Sequence, residues 1–243
     1  MQLRFATALN QGADGHLGFD AFYAAPEEKL FVLSDGANGT PQGGAFAQAL
    51  VRALTLEKQD PWPVLFRQSN PVVQHTDAQK STTTKRLGAY LYHLGLKLES
   101  DLKESAATVS LAMVEDQSIK LLGVGDSYAG VFCREPKTGW RPIHWLARHK
   151  DNNGHPTQLI GAAVPIEPNC FQTNLTGDIC VVLATDGAGD FLSESDFTQT
   201  LGLLGEEAPS PEDLNFLTHS LCERALRNGS DDDISLCLIW RRI

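Results

Sequence analysis

The sequence predicts an α+β domain built on antiparallel sheet, and two observations carry this prediction. Apolar runs of strand length recur along the chain, and most are bounded by Gly, Asp or Ser, as buried strands are. Helical and extended segments do not alternate one by one, which a parallel βαβ sheet would require. The 243 residues, 42% of them hydrophobic, can bury a full core, so we expect one domain over residues 1–243.

Three segments have helical periodicity. Residues 44–58 and 85–103 repeat apolar side chains three or four positions apart. Residues 211–227 follow Ser210, which can cap a helix that has Pro at its first position and Asp213 three residues after the cap. The predicted strands are KLFVLSD, TVSLAMV, SIKLLGVGD, AGVFC, DICVVLATD and DISLCLIW.

Two polar stretches separate these elements. Residues 59–84 contain several prolines and are predicted to be an exposed connection or an insertion. Residues 134–156 interleave Trp140 and Trp145 with basic residues, which is typical either of a substrate flap or of exposed surface decoration. The sequence leaves these two interpretations open.

Composition narrows the possible partners and the location. A formal charge of −10 without clustered Lys and Arg argues against binding nucleic acid. The N-terminal segment lacks the apolar run of a signal peptide, and no stretch approaches the roughly 18 apolar residues of a membrane span. We therefore expect a soluble, cytoplasmic and monomeric protein that binds neither nucleic acid nor membrane.

The cysteines agree with a reducing compartment. They are widely spaced, odd in number and form no CxxC pair, so they predict neither a zinc site nor a disulfide framework. Most lie in apolar runs, where a thiol acts as a small hydrophobic side chain. They are Cys133, Cys170, Cys180, Cys222 and Cys237.

Carboxylates stand at the ends of the predicted strands. Asp35 and Asp186 each end an apolar run and precede Gly, Asp126 ends another, Asp20 begins a short one, and 231–233 is an acidic triplet before the last strand. Each Asp alone is explained by turn formation. Together they predict an oxygen-only site for Mg²⁺ or Mn²⁺, because grouped carboxylates repel one another unless a cation lies between them.

The order of these motifs resembles the PP2C-type, metal-dependent serine/threonine protein phosphatases in their short bacterial form. The resemblance covers nearly the whole chain. The matching segments are FDAFY, VLSDGANG, SAATVSLAMV, GVGDSYAGVF, LATDGAGDFLS and SDDDISLCLIW. It implies a four-layer α-β-β-α sandwich of two antiparallel sheets flanked by helices. It also implies hydrolysis of phosphoserine or phosphothreonine by a metal-activated water at a binuclear Mn²⁺ or Mg²⁺ centre, and a phosphoprotein substrate with a cognate kinase.

The resemblance also assigns roles to individual residues. Asp35 bridges both metals, with the backbone carbonyl of Gly36 on one of them. Asp186 and Asp232 hold the other metal. Asp20 acts with Asp35 in catalysis, by orienting a metal-bound water. The same resemblance implies that Asp126 and Asp186 bind a third, weaker ion.

The chain departs from the family pattern at the substrate side of the site. Where the family has an arginine that grips phosphate, this chain has Gly15, with His16 beside it. The phosphate-binding residue is therefore unassigned, and the candidates are His16, Arg4 and Arg141. Further departures are Phe19, Ala106, Ala107, Tyr128 and Asp233, whereas Thr108 of the Gly-Thr-Thr motif is retained.

Single features of the sequence are also typical of three other functions. The missing arginine favours a catalytically weak PP2C-like module that binds a phosphorylated partner as a regulator. Ser127, in a Gly-Asp-Ser motif, is typical of an esterase family, but no DxxH motif follows near the C-terminus. A haloacid dehalogenase-type phosphotransferase needs a nucleophilic Asp at the position of Leu33.

Overall fold

The computed structural model describes residues 2–10, 18–56 and 82–242. Within these ranges the chain forms two five-stranded sheets, of order β1-β10-β9-β6-β7 and β2-β3-β4-β5-β8, and every neighbouring pair is antiparallel. The strands are β1 (Gln2–Asn10), β2 (Asp20–Ala25), β3 (Leu30–Asp35), β4 (Val109–Val114), β5 (Ile119–Val124), β6 (Tyr128–Glu135), β7 (Gly139–Trp145), β8 (Asn169–Thr173), β9 (Asp178–Ala184) and β10 (Ile234–Arg242). The helices are α1 (Gly43–Leu56), α2 (Thr82–Asp101), α3 (Asp186–Gly189), α4 (Glu194–Leu201) and α5 (Pro211–Arg227).

The layers follow from strand alternation. Leu30 and Val32 of β3 point towards α1 and α2, whereas Phe31 and Leu33 point towards the other sheet. Three apolar clusters result, one between each helical layer and its sheet and one between the two sheets. The predicted four-layer α-β-β-α sandwich of antiparallel sheets is confirmed.

The helix predictions are confirmed with small changes in their bounds. Helix α5 begins after Ser210 as predicted, and its capping box is complete: Ser210 Oγ accepts from Asp213 N at 3.0 Å, and Asp213 Oδ2 accepts from Ser210 N at 2.8 Å. Helix α1 ends at Leu56, the last described residue of that range, and α2 begins at Thr82. Residues 59–81 of the connection predicted over 59–84 lie outside the described residues.

The loop predicted over residues 134–156 is wrong in its first half. Arg134 and Glu135 end β6, and β7 follows at the edge of a sheet with Trp140 buried. Pro142 interrupts the strand pattern in the sequence, but an edge strand tolerates proline because one side of its backbone needs no partner. Strands β1 and β8 and helix α4 were also missed by the sequence interpretation.

The structure also describes the cysteines and the apolar character of the helices. All five cysteines are free; Cys180, Cys222 and Cys237 are buried, and the other two are partly buried. None of the helices in the described ranges is long and apolar enough to span a membrane.

Candidate metal centre

Two strands of one sheet bring the first pair of acids together. Asp20 begins β2 and Asp35 ends β3, and the antiparallel register places the two residues directly opposite each other. The carboxyl group of Asp35 lies within hydrogen-bonding distance of those of Asp20 and Asp186. The opposed register, rather than either turn alone, therefore accounts for an acid at the end of a buried strand.

The other acids come from turns that reach the same end of the sandwich. Asp186 directly follows β9 and opens α3, Asp232 lies just before β10, and Asp126 lies in the turn between β5 and β6. All three exert electrostatic repulsion on Asp35. The structure thus brings together all five predicted acids, which come from both sheets.

Burial and mutual repulsion set the protonation of the cluster. Burial, followed by the charges of the neighbouring acids, raises the pKa of Asp35 well above its usual range. Burial is also the main cause that raises the pKa of Asp20 to about 7, and it raises the pKa of Asp186 and Asp232 as well. Burial and repulsion therefore disfavour the ionised form of these carboxyl groups, and a divalent ion among them would favour it.

Hydroxyl groups fix the positions of the two facing acids. Thr108 Oγ1 accepts from the backbone N–H of Asp35 at 3.1 Å and is hydrogen-bonded to Ser127 Oγ at 2.6 Å. Thr185 Oγ1 donates to Asp20 Oδ2 at 3.1 Å, while Asp20 Oδ1 is buried without a partner among the described residues. Asp20 therefore has one anchored oxygen and one oxygen left for a ligand.

Close backbone packing explains the glycine that follows Asp35. A Cβ added to Gly36 would lie 2.3 Å from the carbonyl carbon of Gly43 at the start of α1. The backbone N–H of Gly36 donates to the carbonyl of Phe19 at 3.0 Å, beside Asp20. Glycine is required here because the backbone at the start of α1 occupies the place of a side chain.

Asp233 lies beside Asp232 and contacts the residue that precedes β2. Its Oδ2 accepts from the backbone N–H of Phe19 at 2.7 Å, and its own N–H donates to Asp232 Oδ1 at 2.8 Å. The Asp233 carboxylate therefore connects the residue before β2 to the segment before β10.

A group of residues that the sequence interpretation missed lies beside the acids. Lys150 Nζ is 3.5 Å from Asp126 Oδ2 and 2.5 Å from Asp190 Oδ2. Asp190 also accepts from Arg148 Nη1 at 2.7 Å and from the hydroxyl of Tyr128 at 2.6 Å. The basic residues within 134–156 were the available signal, and the second half of that segment does reach the site.

The structure describes two of the three candidate phosphate-binding residues. The guanidinium of Arg4 donates to the carbonyl of Pro209, and that of Arg141 pairs with Glu135. Both groups are therefore engaged with partners outside the acidic cluster. His16 lies outside the described residues.

The donor set suits a hard divalent cation. The converging side chains offer carboxylate oxygens only, and the unpartnered Oδ1 of Asp20 is a buried acceptor without a donor. In the part of the chain that the structure describes, no three Asp, Glu, His or Cys side chains already have the spacing of a closed ion site. The acids instead contact one another, so ion binding would require their side chains to separate.

Comparisons by sequence and by structure give different results. No family model matches the sequence, and no curated protein matches it. Solved structures of bacterial serine/threonine phosphatases do match the fold. The Mycobacterium tuberculosis serine/threonine phosphatase PstP/Ppp superposes with a TM-score of 0.72 at 17% identity, over 99% of both chains.

Two further structures agree. Serine/threonine phosphatase Stp1 from Staphylococcus aureus matches with a TM-score of 0.69 at 20% identity, over 100% of this chain and 96% of that one. The catalytic domain of PstP, in complex with two manganese ions, matches with a TM-score of 0.65 at 18% identity, over 98% and 97% of the two chains. This chain therefore has, along nearly its whole length, the fold of the bacterial serine/threonine phosphatases.

Proposed function

We propose that this protein is a metal-dependent phosphatase that hydrolyses phosphoserine or phosphothreonine in proteins. The observation that carries the proposal is the convergence of the five acids at one end of this fold, from strands and turns of both sheets. The raised pKa values of Asp35 and Asp20 and the unpartnered Oδ1 of Asp20 support a cation site, because bound divalent ions would neutralise the clustered carboxylates.

Four residues would hold two ions, Mn²⁺ or Mg²⁺. Asp35 would bridge them, with the carbonyl of Gly36 on one, and Asp186 and Asp232 would bind the other. Bound ions would supply an activated water and neutralise charge on the phosphoryl oxygens during in-line displacement.

The protein's own side chains would position the reactants. Asp20 Oδ1 would accept a hydrogen bond from the attacking water, while Thr185 holds the other oxygen of the same carboxylate. Thr108 Oγ1 would keep Asp35 in place by accepting a hydrogen bond from the backbone N–H of Asp35. Ser127 is buried and hydrogen-bonded to Thr108, which gives no support to a nucleophilic serine.

A second candidate function keeps the fold and the ions but not efficient turnover. Neither Arg4 nor Arg141 is directed at the acids, and this favours a module that binds a phosphorylated partner as a regulator. Tight binding of a phosphopeptide in saturating Mn²⁺ without phosphate release would support the module over the enzyme.

The direct test is phosphate release from a phosphothreonine peptide with Mn²⁺, with Mg²⁺ and with a chelator. We expect turnover with either ion and none after chelation. As a matched control, Asp101→Asn, which removes an exposed carboxylate at the end of α2, should leave turnover unchanged. Turnover that is indifferent to the chelator would contradict the proposal.

The setting of the reaction belongs to the same proposal. The substrate would be a phosphoprotein and the opposing enzyme a cognate serine/threonine kinase. We propose a monomeric, cytoplasmic protein that forms one domain and binds neither nucleic acid nor membrane, as expected from its acidic composition.

A further inference from the structure

Lys150 occupies the outer side of the acidic cluster. Its ammonium lies between Asp126 and Asp190, at 3.5 Å and 2.5 Å from their carboxylate oxygens, and its side chain is only 17% exposed. It also acts electrostatically on Asp186. A cation is therefore already present beside Asp126 and within electrostatic reach of Asp186, the two acids to which the resemblance assigns a third ion.

The chain holds this lysine in place from two directions. Next to it, His149 N donates to the carbonyl of Gly125 at 2.8 Å, and Gly125 N donates to His149 Nδ1 at 3.1 Å, which ties the lysine segment to the turn that carries Asp126. On the other side Asp190, the residue that follows α3, is anchored by Arg148 and by Tyr128. Arg148 in turn lies over the Tyr128 ring, 4.0 Å from its centroid.

The charges show that the lysine partly neutralises the cluster. Burial raises the pKa of Asp126 and of Asp186, and Lys150 opposes this rise in both. Burial disfavours the charged form of Lys150, but the hydrogen bond with Asp190 and the surrounding carboxylates raise its pKa above the ordinary value. The two carboxylates beside the ammonium therefore favour the charged form of Lys150.

We propose that Lys150 is a built-in cation that takes the place of a third divalent ion at Asp126 and Asp186, so that this chain binds two ions. The inference rests on the proposed function for the presence of the other two. An ammonium and a divalent ion cannot share the same carboxylate oxygens, because they repel each other at that distance and compete for the same lone pairs. In this chain Asp126 therefore positions the lysine segment instead of binding metal.

The test counts Mn²⁺ ions by titration calorimetry and by native mass spectrometry. The wild type should bind two ions. Lys150→Gln should bind a third ion, and it should do so over an at least about tenfold range of Mn²⁺ concentration in which the wild type still binds two, because the competing charge is gone. Lys150→Arg, which retains the charge, should again bind two, and Lys137→Gln, an exposed lysine in the β6–β7 turn, is the matched control and should match the wild type.

Asp126→Asn provides a second route that does not depend on how Lys150→Gln folds. In an otherwise wild-type chain it should leave two ions bound, whereas combined with Lys150→Gln it should abolish the gained ion. Loss of an ion in the single variant, or three ions in the wild type, would overturn the role of Lys150. Equal ion counts in the wild type and Lys150→Gln would also overturn the role of Lys150. Mn²⁺-dependent turnover in the same proteins would then still support the proposed function. Absence of bound Mn²⁺ from every variant would contradict the proposed function as well.

Discussion

Stripping divalent cations from the protein should make its stability fall as pH rises. Asp20 is buried, and its pKa is about 7 in the folded protein against about 3.9 in an unfolded chain. Between these two values the folded state binds more protons than the unfolded state, so unfolding becomes easier as pH increases. The raised pKa values of Asp35, Asp126 and Asp186 act in the same direction.

The size of the effect follows from Asp20. A difference of about three pKa units corresponds to on the order of 4 kcal/mol between acidic pH and pH 8, of which about 3 kcal/mol falls above pH 5. For a chain of 243 residues, about 3 kcal/mol lowers the Tm by roughly 6–12 °C. Saturating Mn²⁺ at pH 8 should reverse the loss, because the ion binds only the folded, ionised cluster.

The assay is urea and thermal denaturation of chelator-treated protein at pH 5 and pH 8. His144 opposes the trend, since burial lowers its pKa and the folded state then gains stability as pH rises. The difference between wild type and Asp20→Asn cancels the contribution of His144 and measures Asp20 together with its repulsion of Asp35. Asp101→Asn, which changes an exposed carboxylate, serves as the matched control and should keep the wild-type pH slope.

The outcome is decisive in either direction. Between pH 5 and pH 8, metal-free Asp20→Asn should lose at least about 3 kcal/mol less stability than the metal-free wild type. The assignment of Asp20 to a buried cluster of mutually repelling acids would be refuted by either of two results. One is metal-free wild type that is equally stable at pH 5 and pH 8, and the other is an unaltered dependence of stability on pH in Asp20→Asn.

Three further variants test the site and its frame. Asp186→Asn should lower phosphate release by more than about a hundredfold with an unchanged circular dichroism spectrum, because an ion ligand is lost; retained turnover would reject that role. Gly36→Ala should destabilise the protein by about 1–3 kcal/mol in urea unfolding, since the new Cβ would lie 2.3 Å from Gly43, whereas Gly39→Ala, which has open space, should be nearly neutral. Arg241→Met should cost about 3 kcal/mol, because the fully buried guanidinium donates to carbonyls of three turn and loop residues; a neutral result would show that other donors reach those carbonyls.

The acids could be singled out from the sequence because their signal is local. Asp35 and Asp186 each follow an apolar run and precede a glycine, and Asp is depleted in buried strands. The antiparallel α+β class could be predicted for the same reason, since strand runs and capped helices are visible one at a time. The capping box at Ser210 needed only four consecutive residues.

The missed features depend on tertiary position. In β1, Ala6 and Ala8 face the layer of α5 while Phe5 faces the other sheet, so small side chains are fully buried and the strand lacks an apolar pattern. The ion pair of Lys150 and Asp190 joins residues 40 positions apart on two polar segments. No periodicity links such residues, and only the folded sheets bring them together.

Crystals grown with Mn²⁺ test the central claim most directly, through anomalous diffraction measured at the manganese edge. The account predicts two anomalous peaks, both bound by Asp35, one near the carbonyl of Gly36 and the other bound by Asp186 and Asp232. It also predicts the ammonium of Lys150, without a peak, beside Asp126. Saturating Mn²⁺ that leaves no peak at Asp35, with the carboxyl groups still contacting one another, would contradict the proposed metal centre.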